Sequence, residues 1–272
     1  MKRKFYTLDV FTDTPLAGNP LAVVLDSEGL DDAAMQAIAS EFNLSETVFV
    51  APPESAAHRA KLRIFTPAHE LPFAGHPTVG TAILLNQLNH LGEGSVFFLE
   101  EKIGAVKCVV SGDEGSKRAR FNLPRLALPM DYPFDAAGWS KALGLAESDL
   151  DVPRCGLWDG GVPYTMVPVH SLEAVRKVNI DAQALAAVEP VFDGIAANPY
   201  VFCKGGETSD ADFHARMFAP LFGIPEDPAT GSAVASMSGW IAFHDMGATA
   251  SRAFKIEQGY EMGRPSQIFL DL

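Results

Sequence analysis

The chain has 272 residues, enough for one large domain or two of ordinary size. Hydrophobic residues make up 47% and charged residues 20%, which supplies an ample core and argues against disorder. The formal net charge of −13 argues against nucleic acid or an anionic membrane surface as the main partner, because phosphate binding depends on clustered Lys and Arg.

Phe5 to Phe11 and Leu21 to Leu25 read as strands, joined by the turn-rich Leu16-Ala17-Gly18-Asn19-Pro20. The opening Met1-Lys2-Arg3-Lys4 has the charge of a signal-peptide start, but Asp9, Asp13 and Pro15 interrupt any hydrophobic segment after it. No run of about 20 apolar residues follows anywhere, so the expectation is a soluble, cytoplasmic protein with no membrane span. Asp31 to Phe42 reads as an amphipathic helix with an acidic first turn. Thr47 to Val50 and Lys61 to Phe65 alternate as strands around a Pro-containing loop, and Pro77 to Leu88 reads as a buried helix. Val96 to Leu99 and Ala105 to Val110 suit a hairpin, followed by a strand at Arg120 to Leu123. The Pro-rich stretch from Leu123 to Pro133 is the best linker. Beyond it, a helix is expected at Ala136 to Leu143, with strands at Tyr164 to Val169, Gly194 to Ala197, Tyr200 to Cys203 and Phe213 to Phe218. Late strands follow at Phe254 to Glu257 and Gln267 to Leu270. Strands outnumber helices apart from one long buried helix in each half, which indicates α+β rather than alternating βαβ units.

Two distant segments end alike. Ala74-Gly75-His76-Pro77 opens the apolar run Thr78 to Leu85, and Asp227-Pro228-Ala229-Thr230-Gly231-Ser232 opens Ala233 to Ala242. Each run is small or apolar nearly all round, the pattern of a helix buried within a domain. The glycine before each lets a ligand approach the backbone, and the first turn of a helix offers unpaired N–H groups and partial positive charge to a carboxylate. Upstream, Arg63-Ile64-Phe65-Thr66-Pro67 and Arg216-Met217-Phe218-Ala219-Pro220 both read R-x-F-x-P. That arginine lies 12 residues before Gly75 in the first half and 15 before Gly231 in the second, which favours an internal repeat.

Each polar residue in these segments also has a plain structural reading. Glu46 begins a strand beside Val48 and Phe49, where partial desolvation would raise its pKa toward a range useful for proton shuttling, or where it is simply an exposed strand-end carboxylate. His76 sits where a helix dipole disfavours imidazolium, so a neutral relay or a helix-capping His both fit. Asp227 is held extended by Pro228 and could act as an N-cap; Ser232 could be a first-turn serine and Asn19 a turn residue. His69, Glu70 and His76 do not form H-E-x-x-H, because position 73 is Phe, so no metal site is expected. Neither G-x-x-x-x-G-K-[ST] nor a strand-following G-x-G-x-x-G occurs, so no nucleotide cofactor is expected either. Cys108, Cys155 and Cys203 are widely spaced and odd in number, which indicates neither a zinc site nor a disulfide framework. Trp240 and Met237 are expected in the core.

Gly18-Asn19-Pro20, Asn43 to Thr47, Gly75 to Gly80 and Asp227 to Ala233, in this order, resemble the phenazine-biosynthesis PhzF-like isomerase family over nearly the whole chain. The resemblance implies the diaminopimelate-epimerase-like fold: two pseudo-symmetric domains, each a strand-rich, barrel-like sheet around one long helix, with the active site in the cleft between them. It implies a first domain of residues 1–123, completed by a C-terminal strand within 263–272, and a second domain of 124–262. It implies cofactor-free proton transfer on a small, cyclic or unsaturated carboxylate, and commonly a homodimer. Glu46 matches the family's acid/base carboxylate, with His76 and Asp227 as its partners in catalysis. Asn19, Gly75, Gly231 and Ser232 match substrate-binding positions. In the two-thiol epimerases that share the fold, the paired cysteines would fall on Ala74 and Thr230, and neither ionises near neutral pH. A two-thiol inversion is thereby excluded, leaving a double-bond or keto-enol shift by one carboxylate. The competing expectation is a non-catalytic anion-binding or dimeric interaction protein that retains the fold.

Overall fold

The computed structural model describes residues 2–113, 117–123, 125–192, 194–246 and 251–272, so Pro124 of the expected linker lies outside the described residues. The chain divides into two compact units, Met1–Asn122 and Leu123–Leu272.

The first unit runs β1 (Phe5–Val10), β2 (Asn19–Val24), α1 (Asp32–Phe42), β3 (Glu46–Ala51), β4 (Ala60–Phe65), β5 (Glu70–Leu71), α2 (Gly75–Leu88), β6 (Ser95–Glu101), β7 (Gly104–Ser111) and β8 (Arg118–Phe121). Its sheet has the order β1-β2-β3-β4-β6-β7-β8, with β5 paired to β4. Alternation along the strands sorts side chains to two faces. Val23, Val48, Leu62, Ile64 and Leu99 pack with Val79, Ala82 and Leu85 of α2 on one face. Val24, Phe49 and Phe65 meet Met35 and Ala39 of α1 on the other. Helix α2 touches β1, β2, β3, β6, β7 and β8 of its own unit, so the sheet curls around it. Gly80 permits the close approach: a Cβ there would lie 2.7 Å from Val10 Cγ2 and 2.8 Å from Leu21 Cδ2.

The second unit runs β9 (Leu128–Met130), α3 (Ala136–Leu143), β10 (Gly156–Asp159), β11 (Pro163–Pro168), α4 (Leu172–Lys177), α5 (Ala182–Val188), β12 (Val191–Phe192), β13 (Ile195–Ala196), β14 (Pro199–Lys204), β15 (Phe213–Ala219), β16 (Ile224–Asp227), α6 (Gly231–His244), β17 (Ala253–Gln258) and β18 (Ser266–Asp271). Its main sheet has the order β9-β10-β11-β14-β15-β17-β18, with β16 paired to β15. The sequence of pairings repeats that of the first unit. β2 and β3 are parallel as are β11 and β14, and β4 and β6 are parallel as are β15 and β17. Helices α3, α4 and α5 cover one face around Trp139, Leu143, Val175 and Leu185. Trp240 and Met237 of α6 are buried as expected.

The Arg-x-Phe-x-Pro repeat has one structural meaning in both units. Arg63 grips Glu70 of β5 through Nε and Nη2 at 2.8 and 2.6 Å and lies 5.1 Å over the Phe65 ring. Arg216 grips Glu226 of β16 through the same two nitrogens, each at 2.8 Å, and lies 4.8 Å over the Phe218 ring. Alternate strand residues share a face, which is why Arg and Phe stack, and the bidentate fork docks the short strand that leads into each long helix.

The C-terminal strand departs from the sequence expectation. Rather than returning to the first unit, β18 pairs with β17 over six residue pairs, from Ala253↔Asp271 to Gln258↔Ser266. It occupies the place in the second sheet that β7 occupies in the first, as the hairpin partner of the strand after the long helix. An antiparallel neighbour reached by a short turn closes its backbone hydrogen bonds locally, with less loop-closure entropy than a return to a distant sheet.

Candidate active site

Among the described residues, four of the six α-helices begin with a side-chain cap: Asp31, Asp135, Ser171 and Asp181 each accept from a first-turn N–H. The two long ones do not. Ala74 before α2 and Thr230 before α6 make no side-chain cap hydrogen bond. A buried helix start without a cap leaves first-turn N–H groups for an acceptor from elsewhere. Neither of these two residues carries a thiol. The cysteines present lie in other elements, and burial pushes their thiols up, to about 12 at Cys108 and about 11 at Cys203, with Cys155 raised as well.

In the first unit the structure brings Glu46 and His76 together. Glu46 is the first residue of β3, and His76 is the second residue of α2. His76 Nε2 and Glu46 Oε2 lie 3.3 Å apart, with side chains only 4% and 12% exposed. Burial pushes the His76 pKa down to about 3, so the imidazole is neutral at physiological pH. The cause is desolvation. Asn19 is fully buried as the first residue of β2, whose Leu21 pairs with Glu46, so Asn19 belongs to the same end of the sheet. Gly75 is buried at the start of α2.

In the second unit Asp227 ends β16 and is buried, and the hydroxyl of Thr230 donates to its Oδ2. Gln258, at the end of β17 and fully buried, holds this segment with its whole amide. Its Nε2 donates to the Asp227 carbonyl at 2.7 Å and to Thr230 Oγ1 at 2.9 Å. Its Oε1 accepts from the Thr230 N–H and from the Tyr200 hydroxyl, both at 3.2 Å. Thr230 has one hydroxyl proton and gives it to Asp227, so the Gln258 NH2 must face Thr230 and the amide orientation is determined. The next turn closes on the same loop: Gly259 has φ +79°, and a Cβ there would lie 2.6 Å from the Pro228 carbonyl oxygen. Ser232, the second residue of α6, has its Oγ 2.8 Å from the Tyr164 hydroxyl, and Gly231 opens the helix.

Sequence reasoning did not find Gln258 or Tyr164. The available signal at Gln258 was an inward alternation, Phe254 then Ile256, that ends on an amide instead of a third apolar residue. Tyr164 gave none, because β11 and α6 are far apart in the chain. Among the described residues, no group of three or more His, Cys, Asp or Glu side chains gathers where it could hold a metal ion, and no helix is long and apolar enough to cross a membrane.

The family model described as phenazine biosynthesis-like protein (PhzC-PhzF) matches residues 8–272. The chain belongs to this family. An uncharacterized isomerase of Mesorhizobium japonicum is 48% identical, the match covering 99% of this chain and 90% of that protein. A trans-2,3-dihydro-3-hydroxyanthranilate isomerase of Pseudomonas fluorescens is 34% identical, covering 97% of this chain and 88% of that protein. The crystal structure of a Bacillus anthracis phenazine biosynthesis protein of the PhzF family superposes with a TM-score of 0.87 at 26% identity, covering 100% of this chain and 91% of that one. The protein is therefore an isomerase of the PhzF type, with the α+β architecture of that family.

Proposed function

We propose that this PhzF-type isomerase shifts a proton within a small cyclic or unsaturated carboxylate, with Glu46 as the acid/base and no metal or organic cofactor. The observation that carries the proposal is the contact between Glu46 and a desolvated, neutral His76. The Glu46 carboxylate takes a proton from a substrate carbon, and the electron pair left behind delocalises toward the carboxylate or a conjugated double bond. Protonated Glu46 then returns the proton to a second carbon on the same face, so the double bond moves and the formula is unchanged. Nε2 and Oε2 do not meet as a hydrogen bond in the resting geometry, so the neutral His76 is assigned to assist Glu46 during turnover, as donor to the carboxylate in one tautomer or as acceptor from the acid in the other. Either way it assists without a change in net charge.

The proposal assigns carboxylate binding, and stabilisation of charge developing in the transition state, to the N–H groups at Gly75 and Gly231 together with Ser232. Asn19 and Asp227 take the remaining polar groups of the substrate, Asp227 also assisting proton movement. The 34% identity to a trans-2,3-dihydro-3-hydroxyanthranilate isomerase supports a ring carboxylate as the substrate class. A homodimeric, cytoplasmic enzyme completes the reading, and sedimentation of the purified protein checks its oligomeric state.

The test is proton–deuterium exchange from D2O into a panel of small cyclic carboxylates, including dihydroanthranilates. Exchange that depends on Glu46 is the expected result. Tight binding with no exchange into any member would support the competing reading, an anion-binding protein without turnover.

A further inference from the structure

Glu101 ends β6 on the same inward face as Leu99 and is buried at 8% exposure. Its Oε1 lies 2.7 Å from Thr78 Oγ1, and the same hydroxyl lies 2.8 Å from the carbonyl oxygen of Ala74. A threonine hydroxyl has one proton, and a carbonyl can only accept. Both short contacts are satisfied together only when Thr78 donates to Ala74 and Glu101, carrying a proton of its own, donates to Thr78. An ionised Glu101 would take the Thr78 proton, strip the Ala74 carbonyl of that bond and leave Oε2 charged, since Oε2 is buried and has no hydrogen-bond partner among the described residues.

Among the described residues, the cations lining this region are engaged elsewhere. Arg63 of β4 and Lys102 of the β6–β7 turn line the same cavity of about 630 Å³ as Glu101, but both bind Glu70 of β5. Lys61 there is paired with Glu54, and His58 with Glu100. On β7 the neighbouring titratable group is Cys108, a thiol held neutral by burial. On α2 the contact is Thr78 itself.

We propose that Glu101 is a neutral carboxylic acid and a positioning residue, holding the first turn of α2, and through it His76, by donating its proton to Thr78. The chain of donors runs from Glu101 to Thr78 to Ala74, and Ala74 directly precedes Gly75 and His76. Burial pushes the Glu101 carboxyl up to about 7, in agreement with the proton count. The effect on His76 rests on the catalytic role proposed above; the protonation of Glu101 does not.

The experiment is infrared difference spectroscopy of protein labelled with ¹³C at the Glu side-chain carboxyl, combined with ¹⁵N NMR of His76. At pH 6 a neutral-carboxyl band is expected in the wild type and is reduced in Glu101→Gln. Glu189, also buried and raised to about 7, is a second source of such a band, so Glu189→Gln, made together with Glu46→Gln to remove the acid/base carboxyl from the spectrum, must retain part of it. That second variant decides the matter even if Glu101→Gln does not fold. A band that survives Glu101→Gln unchanged, or vanishes wholly in that double variant, overturns the proposal. For positioning, Glu101→Gln keeps an N–H donor for Thr78 and should retain the His76 resonances, whereas Glu101→Met should shift them and lower kcat about tenfold more than Glu101→Gln does. Unshifted resonances in folded Glu101→Met would overturn the positioning role. A Glu101 band without any isomerase exchange would count against the reading of Glu46, not against the proton on Glu101.

Discussion

Helices α2 and α6 are both 14 residues long, mostly buried and begun without a side-chain cap, yet their first turns differ in chemistry. The start of α2 carries a desolvated imidazole 3.3 Å from a carboxylate. The start of α6 carries a closed network in which Asp227, Thr230, Gln258 and Tyr200 hold one another with their hydrogen-bonding capacity largely used. The repeated scaffold supplies the same helix start twice, including the Arg–Glu fork that docks the strand before it. Side chains added to that scaffold give one start a dry His76–Glu46 contact and the other a hydrogen-bonded network around Asp227. A repeat therefore predicts where a site falls more securely than it predicts which group does the chemistry.

The largest expected effect comes from disabling the first of these starts. Glu46→Gln keeps the shape and one acceptor but cannot take up a proton, so turnover should fall about 10²–10⁴-fold with little change in substrate affinity. Stopped-assay turnover on a substrate found by deuterium exchange measures it; near-normal turnover would move the acid/base role to Asp227. Introducing Ala74→Cys and Thr230→Cys into that variant should not rescue it, because a thiol pair suits inversion and not a same-face shift.

The second start should respond in stability. Gln258→Leu removes an amide that makes four buried hydrogen bonds, and should cost about 2–4 kcal/mol in urea unfolding, as buried donors and acceptors lose their partners. Glu46→Gln should cost less than about 1 kcal/mol in the same measurement. Equal losses in the two variants would erase the contrast between the Glu46–His76 contact and the Asp227 network.

Desolvation of His76 has a definite sign in the pH dependence of folding. Its folded pKa is depressed to about 3, while an unfolded histidine titrates near 6.5. Between these values the unfolded chain binds a proton that the folded chain refuses, so stability rises with pH through this window and is flat above it. His76→Gln should remove about 1–3 kcal/mol of that rise, read from unfolding curves at pH 4 and pH 7. A slope unchanged by the substitution would mean that the imidazole is not excluded from water.

The smallest effect is expected at Ser232. Ser232→Ala leaves the backbone N–H groups of α6 in place and removes one hydroxyl from the Tyr164 contact, so KM should rise about 3–10-fold with kcat nearly constant. A loss confined to kcat would make Ser232 part of the proton path.

Much of this arrangement was legible in the residues. Helix α3 falls on Ala136–Leu143 as read from the sequence, because its apolar spacing and the caps Asp135 and Gly144 are local signals. The uncapped starts of α2 and α6 were legible as glycine-led apolar runs, and Glu46 as the head of a strand. The short elements β5, β9, β10, β16, α4 and α5 were not read, since a few residues give no periodicity to count. The partner of β18 was misread, because alternation marks a strand and says nothing about its neighbour. Gln258 lies about thirty residues from the loop it holds, and only the end of β17 brings it there.

The sequence by itself determined the α+β class, the two long buried helices, the repeated Arg-x-Phe-x-Pro and the absence of thiols at the helix starts, because each is a matter of residue type and spacing within a few turns of chain. Tertiary structure alone decided that His76 is dry and touches Glu46, that an amide from β17 orients Asp227, and that Glu101 keeps its proton beneath Thr78. Those are properties of desolvation and of hydrogen-bond partners drawn from distant segments, and neither exists until the sheet has closed around its helix.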